Sequence, residues 1–138
     1  MKLWINYDED DLIAKVFMLY FAFQHGAIGV VLLTQDLSSY NSKTVLGMSE
    51  MLPMSSWGLI LIFSAANFIN ATIQVSKLAY LAMVIAGVSG VIVFGLLSMA
   101  SLELSINQTN TVNYMIISSI DVVLAIIGGV ALWLRRTI

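Results

Sequence analysis

His25 and Asp121 stand inside long apolar stretches of this 138-residue chain, where an ionisable side chain is expensive and needs a reason. A histidine titrates near neutral pH, and beside a carboxylate it can take up and release a proton. Asn67 adds an amide that both donates and accepts, within a third apolar stretch. Ser64, Asn70 and Gln74 fall with it at helical spacing and form a secondary polar stripe. The chemistry such groups can offer is proton or ion relay. Other chemistries lack their parts. One histidine and no cysteine do not build a usual zinc site, thiol catalysis or bis-histidine haem ligation, so no metal and no cofactor is expected. Gly-rich phosphate loops and Gly-x-Ser-x-Gly elbows are missing, and a solitary intramembrane aspartate cannot make a protease pair. A non-enzyme is expected.

The elements that must position these groups follow from composition. The chain is 59% hydrophobic and 10% charged, with a mean hydropathy of +0.93, whereas soluble domains carry about 25% charged residues. A domain this short would bury only about two thirds of its unfolded surface in water, so the lipid bilayer is the expected partner. A net charge of −2 offers no basic patch for nucleic acid. Charge spacing marks four spans, at about 12–33, 56–74, 78–100 and 112–134, each near the roughly 20 residues a membrane helix needs. Buried strands would be shorter, and barrel strands would alternate in polarity. The expected fold is all-α: a polytopic bundle of four transmembrane helices forming one domain over 1–138.

The connections are unequal. So little chain lies between Gln74 and Lys77 that spans two and three must form an antiparallel hairpin. The 34–55 connection carries Val45, Leu46, Met48, Met51 and Leu52 before Pro53, which suits a short interfacial helix; a plain loop is the alternative. Lys2, Lys77, Arg135 and Arg136 fall on one side of this topology and Lys43 on the other, so both termini are expected in the cytoplasm. A multi-pass protein of the plasma membrane, most simply a bacterial inner membrane, is the expected location. Trp57 at the outer boundary, and Trp133, Arg135 and Arg136 at the inner one, read as interface anchors.

A rise of 1.5 Å per residue places Asp121 roughly 14 Å and Asn67 roughly 16 Å from the outer side, and His25 roughly 20 Å from the inner one. Three spans thus supply polar groups at nearly one depth, with Asp121 expected to accept from His25 or Asn67. Two readings stand for that layer: interhelical glue, and a proton or ion relay. A lumen-facing layer in an oligomeric pore is a third. Gly26 and Gly29 on span one, Ala86, Gly87 and Gly90 on span three, and Gly128 and Gly129 on span four mark faces for close helix packing, within one chain or between chains.

The span opening Met54-Ser55-Ser56-Trp57-Gly58-Leu59-Ile60, the terminal Trp133-Leu134-Arg135-Arg136 and the short four-span layout resemble small membrane proteins encoded by tailed phages and prophages. That resemblance implies roles in host lysis (holin-like), exclusion of superinfecting phage, or association with the host membrane, and it brings no catalytic residues. The leading expectation is a non-enzymatic protein acting by helix association, as a homo-oligomer or as a subunit of a larger membrane complex. The alternative is a small ion channel or proton-coupled transporter using His25, Asn67 and Asp121.

Overall fold

A computed structural model describes residues 9–34, 42–74, 77–104 and 108–134; Lys2, Arg135 and Arg136 lie outside them. Five helices make up the described chain: α1 (Glu9–Thr34), α2 (Lys43–Met51), α3 (Met54–Ile73), α4 (Lys77–Leu104) and α5 (Gln108–Leu134). Four of them contain stretches long and apolar enough to cross a membrane: Leu12–Thr34, Met54–Ile73, Lys77–Glu103 and Asn110–Leu134. Their outer faces carry Phe17, Phe23, Ile73, Val88 and Ile126, all exposed. A water-soluble bundle would put charged residues there. This is the surface of a multi-pass membrane protein.

Local chemistry sets the helix boundaries. Ser42 caps α2 by accepting from the Val45 N–H at 3.2 Å, which satisfies one of the first-turn donors that a helix leaves open. At the other end Leu52 is extended (φ −149°, ψ 147°), the conformation that a following proline imposes. Pro53 then leads into α3, and its carbonyl accepts from the Ser56 N–H at 2.8 Å. Gln74 ends α3 in extended geometry, its N–H closing on Asn70 O at 3.1 Å. The 34–55 connection therefore contains a short helix, and it docks on the bundle. Val45 and Met48 are buried, and α2 packs against the end of α4.

Glycines decide how closely the long helices approach. A methyl group at Gly29 would stand 2.9 Å from the Gly58 carbonyl oxygen, and one at Gly58 would stand 2.7 Å from that of Gly29. α1 and α3 thus touch backbone to backbone. α4 and α5 do the same: a methyl at Gly87 would lie 2.6 Å from Asp121 O, and one at Gly128 would lie 2.8 Å from Tyr80 O. Lipid supplies no hydrophobic drive between helices, so such packing contacts are what hold them. The fold is two tight antiparallel pairs, α1–α3 and α4–α5, joined where α3 meets α4. Phe21, Leu61, Phe68, Ala86, Val93 and Phe94 fill the join. Two small-residue assignments need correction. Gly26 makes only ordinary contact, 3.8 Å to the Ala65 Cβ, and Gly129 faces open space.

Candidate functional site

Each polar group at the centre sits on its helix's buried stripe. In α3 that stripe runs Trp57, Leu61, Ser64, Phe68, Ala71, at alternating spacings of four and three. In α1 it contains Met18, Phe21, Ala22, His25 and Leu32, and in α5 Ile117 and Asp121. Helical periodicity therefore turns Ser64, His25 and Asp121 inward together, and all three are fully buried.

The side chains form one chain of hydrogen bonds. His25 Nε2 lies 3.1 Å from Asp121 Oδ2, and His25 Nδ1 lies 2.7 Å from Ser64 Oγ. The Ser64 hydroxyl is also placed to donate to Ala86 O at 3.0 Å. The imidazole is wedged edge-on to Phe68 (5.1 Å between ring centroids) and tilted against Phe94 (4.9 Å). Gly90 makes the room. A methyl group there would overlap Asp121 Oδ2 and stand 2.6 Å from His25 Cε1. The second carboxylate oxygen, Asp121 Oδ1, is buried with no hydrogen-bond partner among the described residues.

Ser64 gives this network two proton arrangements. With its hydrogen on Ala86 O, Ser64 Oγ accepts from Nδ1–H, and one proton is shared between Nε2 and Oδ2. With its hydrogen turned to Nδ1, the imidazole is neutral and Nε2–H donates to ionised Asp121. Every imidazole nitrogen is partnered in both arrangements, because a hydroxyl rotates to suit. The network can therefore change its proton count without stranding a ring nitrogen, and stranding a buried polar group costs about 1–3 kcal/mol.

Ser, His and Asp together invite comparison with a hydrolase triad, and the geometry differs from one. A nucleophilic serine must donate to the histidine and reach a substrate carbonyl next to preorganised donors. Ser64 has no exposed surface and sits mid-helix, and its hydroxyl also has Ala86 O to donate to. What such an arrangement can do chemically is share protons among its three side chains. Among the described residues no three His, Cys, Asp or Glu side chains come together as metal ligands would.

The residues singled out in the sequence divide accordingly. His25 and Asp121 meet. Asn67 stays outside the network: it is half-buried, and its Nδ2 donates back to Phe63 O at 2.9 Å. Depth and a polar stripe shared with Ser64 point to it in the sequence, but it lies one step off the Leu61–Phe68 stripe that Ser64 occupies, and the bulky flanks of Ser64 are the readable signal. Asn70 and Gln74 bond each other, Gln74 Nε2 to Asn70 Oδ1 at 2.9 Å, with Asn70 exposed. Ala86 is fully buried and serves through its carbonyl. Trp57 is no headgroup anchor. It is buried beneath α2 and donates from Nε1 to Met48 O at 2.9 Å. Trp133 is exposed.

A second polar cluster had no counterpart in the sequence reading. Glu103, near the end of α4, accepts from Ser42 Oγ (2.7 Å) and Thr44 N (2.9 Å) on Oε2, and from Thr44 Oγ1 (2.7 Å) on Oε1. The carboxylate thereby sits on the amino terminus of α2, where the helix dipole and open N–H groups favour an anion. Compared with known protein families, curated proteins and solved structures, the chain matches none.

Proposed function

We propose that this chain is a non-enzymatic membrane protein working as a small proton-coupled channel or transporter, with His25 and Asp121 as its proton-carrying pair. Ser64 is the residue that lets His25 change tautomer. The observation that carries this reading is Asp121 itself: fully buried, bonded to His25 and left with an unpartnered oxygen. It lies roughly 17 Å along its span, counted from Asn110. Ionisable groups held inside a membrane mark proton or ion paths, and this one is paired with a histidine whose other nitrogen meets a rotatable hydroxyl. Both termini are assigned to the cytoplasmic side of a bacterial inner membrane, from the lysine and arginine distribution.

Purified protein in liposomes loaded with a pH-sensitive dye tests this directly. Wild type should pass protons, and Asp121→Asn should lower the rate about tenfold or more with the helical content unchanged. Wild-type vesicles no leakier than empty ones would overturn it.

Helix association is the second reading, as a homo-oligomer or within a larger complex such as a phage-encoded lysis or exclusion system. It is favoured by α5, whose Val123, Ile127 and Val130 are exposed beside the open Gly129. The tight glycine contacts are already used within the chain, whereas this α5 face is open. Crosslinking in native membranes should then yield one discrete larger species. A lysis role would show as timed release of cytoplasm on expression.

A further inference from the structure

The seam between α1 and α5 is where the bundle is least tightly joined, because the close pairs are α1–α3 and α4–α5. Along it runs a cleft of about 140 Å³, lined on one side by Tyr20, Phe21 and Gln24 and on the other by Asn113, Ile117 and Ile120. Its polar groups are unusual for a face turned to lipid. Gln24 Nε2 donates to Tyr20 Oη at 3.0 Å, and Asn113 is exposed. Hydrocarbon offers amides and hydroxyls nothing, whereas a cleft of this volume holds about four waters at about 30 Å³ each.

Its position matters more than its size. Asn113 lies near the α2 end of α5, and the cleft runs from there past the level of the pair to Tyr20 on the far side of it. Phe21 and Ile117 are its buried floor. Each precedes a member of the proton pair by four residues, Phe21 before His25 and Ile117 before Asp121. Because α1 and α5 run antiparallel, Ile117 lies one turn from the pair toward α2 and Phe21 one turn from it the other way. The pair faces Ser64 and Phe68 from α3, and Gly90 and Phe94 from α4. Toward the other end of the bundle the core closes with Met18, Ala71, Ala82 and Met83.

We infer that the α1–α5 cleft is a water-filled vestibule that runs alongside the His25–Asp121 pair and exchanges protons with it. Phe21 and Ile117 are the apolar barriers between the cleft and the pair, one on either side of it. This rests on the proton-coupled reading above, and the experiment separates the two. The chain has no cysteine, so a single introduced thiol is the sole target of a charged, membrane-impermeant thiosulfonate. In full-length protein in liposomes, Asn113→Cys and Gln24→Cys should be modified about tenfold faster than Val123→Cys, which faces lipid, because the reagent needs an ionised thiol in water. Rates at 24 as low as at 123 would overturn the vestibule. Ile117→Ala should speed labelling of Asp121 by a water-soluble carbodiimide several-fold, read by mass spectrometry. Unchanged labelling would overturn that barrier. Neither readout uses flux, so wet, labelled vesicles that carry no protons would overturn the proton-coupled reading and leave the vestibule standing.

Discussion

Asp121 and Glu103 are both carboxylates that tie one helix to another, and their surroundings are opposite. Glu103 is exposed and takes three hydrogen bonds, from Ser42 and twice from Thr44. Asp121 is fully buried, is held by His25 and has an oxygen with no partner. Glu103 completes a helix cap within reach of water, where the charge is easily solvated and the donors fix a local geometry. Asp121 lies where each missing partner is expensive, which is why the proposed proton role falls on it and not on Glu103. The difference teaches that burial and the donors available, and not the mere presence of charge near a membrane, set the two carboxylates apart.

The sharpest way to break the comparison is at Gly90. A side chain there overlaps the Asp121 carboxyl and crowds the His25 ring, so Gly90→Leu should destabilise the bundle by about 3 kcal/mol or more, at the upper end of overpacking effects. Detergent-titrated unfolding followed by circular dichroism measures it, and a neutral result would mean the pair is not seated as described.

Next comes the pair itself. His25→Leu removes the one hydrogen-bonding partner of a buried carboxyl and should cost about 2 kcal/mol. His25→Leu combined with Asp121→Leu should recover part of that loss. The double-mutant cycle should give coupling of at least about 1 kcal/mol, above the roughly 0.6 kcal/mol average for polar contacts between membrane helices. A coupling near zero would reduce Asp121 to the same rank as any surface carboxylate.

Ser64→Ala probes the second nitrogen of the ring. It strands His25 Nδ1 and should cost about 1 kcal/mol, with a larger effect on proton flux than on the unfolding midpoint. Ser64→Thr, which keeps the hydroxyl, should restore flux wherever its extra methyl is accommodated. The smallest effect belongs to Glu103→Gln. Amide exchange in α2 should quicken while the unfolding midpoint of the long helices stays where it was. Were Glu103→Gln to melt the whole bundle, the distinction between the two carboxylates would collapse.

Much of this molecule was legible before any coordinates. The described spans depart from those read off charge spacing by only a few residues at each end, because hydrocarbon tolerates no charge and leaves a plain record of where it begins. Gly29, Gly87, Gly90 and Gly128 announced close packing, since small side chains are what lipid-embedded interfaces require. His25 and Asp121 were conspicuous for the same reason. Asn67 misled because depth along a helix ignores rotation about it, and one residue of rotation moves a side chain about 100° around the axis. Trp57 misled because an indole near a boundary can serve lipid or protein, and α2 supplied the carbonyl that decided it.

Composition and periodicity by themselves determined the four long helices and their approximate lengths, since these depend on local chain geometry and on the solvent around it. Tertiary packing alone decided that Ser64 rather than Asn67 bonds the imidazole, that Gly90 is the floor on which the pair rests, that Glu103 holds α2, and that the α1–α5 seam opens a polar cleft. Those outcomes depend on which helix faces meet, and contact between residues 39 and 96 positions apart leaves no trace in the spacing of either neighbourhood.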